Sequence, residues 1–108
     1  MKIKFDKKEI TIEASKVSRI GMFAGLMFKT SQTKNLLFEF GNKNYNAIHS
    51  FFVFFPFLAI WLDDKNNVLD FSFVSPFTPS VKPRKLSKKL IEIPLNKKNR
   101  EILRYFRR

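Results

Sequence analysis

The sequence predicts a mainly β fold of the α+β class: a single curled or closed antiparallel sheet with a short N-terminal helix and a C-terminal amphipathic helix. Three observations predict it. Short segments alternate apolar and polar residues between turn-forming clusters. Twelve apolar residues run in succession from Phe51 to Leu62, with Pro56 among them. The last segment places its apolar residues at helical spacing.

Ile3, Phe5, Ile10 and Ile12 alternate with polar neighbours around Asp6-Lys7-Lys8, which reads as a β-hairpin. From Ser15 to Lys29 the pattern changes. Val17, Ile20, Phe23 and Ala24 fall at helical spacings, with Ser15 as a cap and Gly25 as a stop, so a short helix is expected. Leu36 to Phe40 reads as a strand that ends at the turn residues Gly41 to Asn44. The apolar run is shorter than the roughly 20 residues of a membrane-spanning helix. It also contains Pro56 and stops at Asp63-Asp64, so it reads as two buried β-segments meeting at the proline.

Asp63 to Asn67 is a polar turn leading into a strand over Val68 to Val74. Pro76, Pro79 and Pro83 exclude a regular element and predict a surface loop. Leu90, Ile91 and Ile93 resume a strand that stops at Pro94. Leu95, Ile102, Leu103 and Phe106 share one helical face, with Asn96 or Asn99 as the cap and basic residues elsewhere.

The length of 108 residues predicts a single domain spanning 1–108. A hydrophobic content of 44% with 16% aromatic residues is globular composition. Zero cysteines exclude disulfides, thiolate metal sites and cysteine nucleophiles. The segment MKIKFDKKEITIE lacks the apolar run of a signal peptide, and a cytoplasmic location is expected. Lysine and arginine total 21 against 9 acidic residues, a net charge of +12, which predicts attraction to nucleic acid or another polyanion. The abundance of Lys, Asn, Ile and Phe equally fits AT-rich coding.

Several segments across residues 17–94 carry a family resemblance. Gly25 to Lys29 reads GLMFK, Leu36 to Phe40 reads LLFEF, Ile48 to Asp63 forms the longest motif, and Val74 to Phe77 and Leu90 to Pro94 follow in order. Together these resemble the ancient conserved proteins of domain-of-unknown-function family 192, with Ile-His before Phe-Phe-Val-Phe-Phe-Pro looking like its archaeal branch. The resemblance implies a compact β-rich fold and no assigned activity. Many relatives carry a polar cluster in the long motif, where this chain holds Phe51, Phe52, Val53 and Leu58. A phenyl ring supplies neither proton transfer nor hydrogen bonds.

His49, the only histidine, cannot form a two-histidine metal site, and its neighbour Ser50 points to the opposite face of a strand. No catalytic constellation, phosphate-cradling loop or metal cluster is legible, so a non-enzymatic binding domain without a cofactor is expected. Asp70 sits inside an apolar strand, where a solvent-facing orientation is expected. The leading activity is sequence-nonspecific nucleic-acid contact through one patch built from Arg84, Lys85, Lys88, Lys89, Arg100 and Arg104, because both basic segments flank the strand ending at Pro94. The alternative is a small-ligand pocket in the mouth of the sheet, oriented by His49 and lined by Phe52 and Phe54. Rings such as Phe52, Phe54 and Trp61 could instead stack on bases, or one face of the aromatic strand could form a homodimer seam.

Overall fold

The computed structural model describes residues 1–17, 29–40 and 53–107. The elements are β1 (Lys2–Phe5), β2 (Lys8–Thr11), β3 (Ser15–Lys16), β4 (Leu36–Glu39), β5 (Phe57–Leu62), β6 (Val68–Val74) and β7 (Lys89–Pro94). A single 3-10 turn (Lys97–Asn99) then runs into the helix α1 (Arg100–Phe106).

The chain is mostly β, but its strands do not form one curled or closed antiparallel sheet. They make a two-stranded antiparallel sheet, β1–β2, and an open five-stranded sheet in the order β3-β4-β7-β5-β6. The larger sheet is mixed, since β3 runs parallel to β4 while its other pairs are antiparallel. It is open because its end strands, β3 and β6, do not pair with each other; the β1–β2 hairpin packs on a face and reaches the β5–β6 turn through Lys4 N, which donates to Asn66 O at 2.9 Å. The expected N-terminal helix is also overturned at its start. Ser15 and Lys16 are strand, and the N–H groups of Ser15 and Val17 donate to the carbonyls of Asn35 and Leu37, both at 2.9 Å. Those bonds to β4 occupy donors that a helix would turn on itself. Residues 18–28 lie outside the described residues.

The turns follow local chemistry. Asp6 and Lys7 both have positive φ (55° and 67°), the geometry of a two-residue hairpin turn whose twist matches its strands. In the β5–β6 connection Asp63 Oδ1 accepts from the N–H groups of Lys65 and Asn67 at 2.9 and 2.8 Å, while Asn66 takes φ 65°. Asn96 caps the final helical segment, its Oδ1 accepting from Asn99 N at 3.0 Å. Asn99 instead stitches elements together: its Nδ2 donates to Pro94 O at 2.8 Å, and its Oδ1 accepts from Asn35 Nδ2 at 3.1 Å.

All six residues of β5 are buried. Leu58, Ile60 and Leu62 join Ile91 and Ile93 on the first face, covered by Ile3, Ile10 and Ile12 of the hairpin and by Leu103 and Phe106 of α1. Phe5 stacks on Phe106 with ring centroids 4.6 Å apart and meets Phe71 edge-on at 5.5 Å. Phe57, Ala59 and Trp61 occupy the second face with Leu36, Phe38, Val74 and Leu90. Val53 and Phe55 also enter this second cluster, but residues 53–56 are not a strand, so β structure begins only after Pro56. Pro56 supplies no N–H to a ladder, and its carbonyl accepts from Leu95 N at 3.1 Å.

Glu92 also lies on the second face, opposite Ala59 of β5 and Leu36 of β4. It is 6% exposed, and its Oε1 has no hydrogen-bond partner among the described residues. Burial of each large β5 side chain contributes about 1.5–3 kcal/mol, enough in sum to offset one buried carboxyl costing a few kcal/mol. Burial pushes the Glu92 carboxyl from its ordinary 4.5 up to about 8. The folded state therefore holds a proton that the unfolded chain has released, and the resulting stabilisation is complete below about pH 4.5 and lost as pH rises through about 8. Denaturant titrations across that window are expected to show stability falling by on the order of a few kcal/mol. Glu92→Gln should flatten the decline; an unchanged slope would assign it to other groups.

Candidate nucleic-acid interface

The six basic residues expected to share one patch are divided between the two ends of β7. Arg84 is held by Asp70, which pairs with Trp61 across β5–β6 and so lies on the second face of the sheet. Arg84 N donates to Asp70 Oδ2 at 2.8 Å, while its Nε and Nη2 donate to Oδ1 at 3.3 and 2.9 Å. Asp70 is only 9% exposed, so it faces this partner rather than solvent. Lys85 and Lys88 are exposed nearby in the chain. Lys89 begins β7 opposite Leu62, and its ammonium donates to Asn66 Oδ1 at 2.8 Å. Arg100 and Arg104 follow the other end of β7, on the helix that covers the first face. Along the chain, β7 and the 3-10 turn stand between the two groups.

Around α1 the basic residues do converge. Lys97, Arg100, Arg104 and Arg107 are spaced by three, four and three residues, which confines them to one side of a helical axis. Leu103, beside the stripe, and Phe106, behind it, pack into the core, and that packing fixes where the cations face. The four line a groove of about 480 Å³ with Leu95, Asn96 and Leu103. All four are exposed, no carboxylate lines the groove, and none of the four forms an ion pair among the described residues. Arg107 lies over the ring of Phe73 at 5.6 Å, which orients its guanidinium at the far end of the stripe.

A wider cleft of about 870 Å³ opens on the other flank of α1, between β2, the loop before β4 and the 3-10 turn. Glu13 and Glu101 line it together with Lys34, Lys98 and Arg100. Its mixed charge suits an anionic chain less well than the carboxylate-free groove.

Arg100 and Arg104 are among the residues expected from the sequence; Lys97 and Arg107 are not. Their spacing from Arg100 and Arg104 was the signal that would have joined them. His49 and Phe52, the core of the small-ligand alternative, lie outside the described residues. Trp61 is fully buried and cannot meet a base. Among the described residues of the aromatic run, Phe54 is the one exposed ring, at 60%. Because β5 is paired on both edges and covered on both faces, it presents no seam for a second copy. No helix among the described residues is long and apolar enough to cross a membrane.

No family model matches the chain, and no curated protein matches it. Among solved structures, the fold is similar to the crystal structure of a protein of unknown function from Novosphingobium aromaticivorans DSM 12444. The TM-score is 0.76 at 11% identity, over 94% of this chain and 75% of that one. At this identity the likeness shows the fold alone.

The Asp70–Arg84 contact anchors the proline-rich loop to the edge strand. Burial raises the Asp70 carboxyl, but the side-chain and backbone bonds from Arg84, the Phe71 N–H and the Arg84 charge outweigh it and hold the group below its ordinary value. The Arg84 side chain is 82% exposed, so the ionic part of the contact is screened and the hydrogen bonds carry it. Asp70→Ala is expected to lower stability by about 1–3 kcal/mol near neutral pH. With a depressed folded value, that contribution is present above the ordinary value of 3.8 and is lost as pH falls through the folded one. The difference between wild type and variant in denaturant midpoint should therefore shrink in strong acid.

Proposed function

We propose that this protein is a binding module that contacts nucleic acid, or another polyanion, without sequence preference through the groove along α1. The carrying observation is that groove: four exposed cations on one helical side with no carboxylate among the lining residues. The net charge of +12 supports the reading by favouring encounter with an anionic chain. The leucine floor supports it too, because Leu95 and Leu103 hold the cations around a low-polarity surface where phosphate contacts are less screened. The resemblance to family 192 assigns no activity, so the reading rests on this surface. A cytoplasmic setting suits a module of this kind.

The contact is electrostatic, and its salt dependence follows. Neutralising four phosphates gives a slope of log affinity against log salt of about −3 on a single strand and about −4 on a duplex. Fluorescence anisotropy with labelled oligonucleotides is expected to show these slopes. Reversing Arg100 and Arg104 to Glu should weaken binding at least tenfold, while reversing Lys85 and Lys88 to Glu, an equal change in net charge at the other end of β7, should cost severalfold less. Circular dichroism checks that the exposed substitutions leave the fold in place. Absence of a complex at low salt, or equal losses from the two double variants, would remove the groove from the interface.

A further inference from the structure

We infer that the ligand of this groove is a single-stranded nucleic acid, whose bases stack on the exposed rings of Phe54 and Phe77 while its phosphates follow the cations of α1. The inference rests on the polyanion reading above and deepens it.

Phe54 and Phe77 are 60% and 51% exposed, and their rings meet edge to face with centroids 5.5 Å apart. Single exposed apolar residues are ordinary on a protein surface, but two large rings held together in solvent are less so. Phe77 also adopts φ 61°, a left-handed backbone that is a true outlier for a bulky side chain. Neither ring is in the core that covers the sheet, so core packing does not account for their placement.

The position of the pair indicates what it meets. Phe57 of β5 pairs with both Val74 of β6 and Pro94 of β7, so all three mark one end of the sheet. Phe54 lies three residues before Phe57 and Phe77 three residues after Val74. The groove begins at this same end, with Leu95 bonded through its N–H to Pro56 O at 3.1 Å. A third link is Phe73, itself 39% exposed, under the guanidinium of Arg107. Aromatic rings and a carboxylate-free cationic groove thus share one end of the molecule.

Those two chemistries together select a single strand. A duplex presents phosphates but keeps the faces of its bases inside the stack, leaving exposed rings nothing to cover. A single strand presents both, and stacking tolerates any base because every base has a π face. The cationic groove repels a cationic ligand and admits any polyanion, so the rings are what separate a nucleobase polymer from a bare polyanion.

The experiment compares a short oligothymidylate with an abasic oligonucleotide of the same length and charge, by anisotropy at two salt concentrations. The base-bearing strand should bind about fivefold or more tightly. Phe54→Ala and Phe77→Ala should each erase much of that advantage, leaving the abasic strand's affinity and both salt slopes unchanged, whereas Arg104→Glu should weaken both strands. Phe54→Trp adds a direct readout: its exposed indole emission should be quenched by oligothymidylate and not by the abasic strand. Equal, salt-dependent binding of the two strands overturns the stacking inference and leaves the polyanion reading standing. Binding of neither strand overturns both. A change in sedimentation on Phe54→Ala, with no effect on oligonucleotide affinity, overturns the inference in favour of a self-association patch.

Discussion

A strand buried on both faces must be covered twice, and β5 imposes that requirement on the whole chain. Phe57 to Leu62 carry no charged side chain and are all buried, so each face of the sheet has to acquire its own layer. On the first face the layer is the β1–β2 hairpin and α1; on the second it includes Val53 and Phe55, with Val81 packed against them. The helix is placed by this need. Its apolar stripe is narrow, Leu103 and Phe106 with Ile102 beside them, so docking that stripe leaves one rotational setting. The orientation of the basic residues is a by-product of the same docking, and the groove beside Leu95 exists because α1 crosses the sheet there.

What was legible in the sequence was local. The turn expected over Asp6 to Lys8, of which Lys8 is already strand, the Asp63–Asn67 turn, the apolar alternation of β1 and β2, the proline-rich loop and a cap at Asn96 or Asn99, of which Asn96 makes the bond, each follow from chemistry within a few residues of one another. Strand order was not legible in that way. β7 enters between β4 and β5, strands that end 50 and 27 residues before it begins, and no local pattern records which edge a late strand will take. The helical spacing of Val17 to Ala24 misled at its start because Ser15 and Val17 found carbonyl partners on β4, a long-range option that spacing alone does not weigh. The basic residues expected in one patch divide in chain order, Arg84 to Lys89 up to the start of β7 and Arg100 and Arg104 on α1 after it.

Asp70 and Glu92 show how strand order also sets charge. Both project from the second face, and periodicity alone would have given each a polar side. Asp70 sits on β6, an edge strand, where a loop can approach and Arg84 can reach it. Glu92 sits on β7, between two strands and under an apolar cluster, where no cation among the described residues arrives. The same residue chemistry therefore moves in opposite directions: one carboxyl is held ionised and the other kept protonated. In an antiparallel strand one covered face makes the alternating position safe for charge; two covered faces remove that safety.

The positive charge of the chain has two components that composition cannot separate and position can. Fifteen lysines are spread from Lys2 to Lys98, in hairpin, loops and strand ends alike, as a coding bias toward AT-rich codons would scatter them. Arginine behaves differently: four of the six fall between Arg100 and Arg108. A bias that enriches lysine gives no reason for arginine to gather in one short stretch of the sequence. The guanidinium also differs in what it does, offering a rigid fork of donors that matches phosphate oxygens and a flat face that stacks on rings. Arg107 already uses that second property on Phe73. The scattered lysines account for most of the net charge, and the clustered arginines account for where on the surface that charge is organised to meet a ligand.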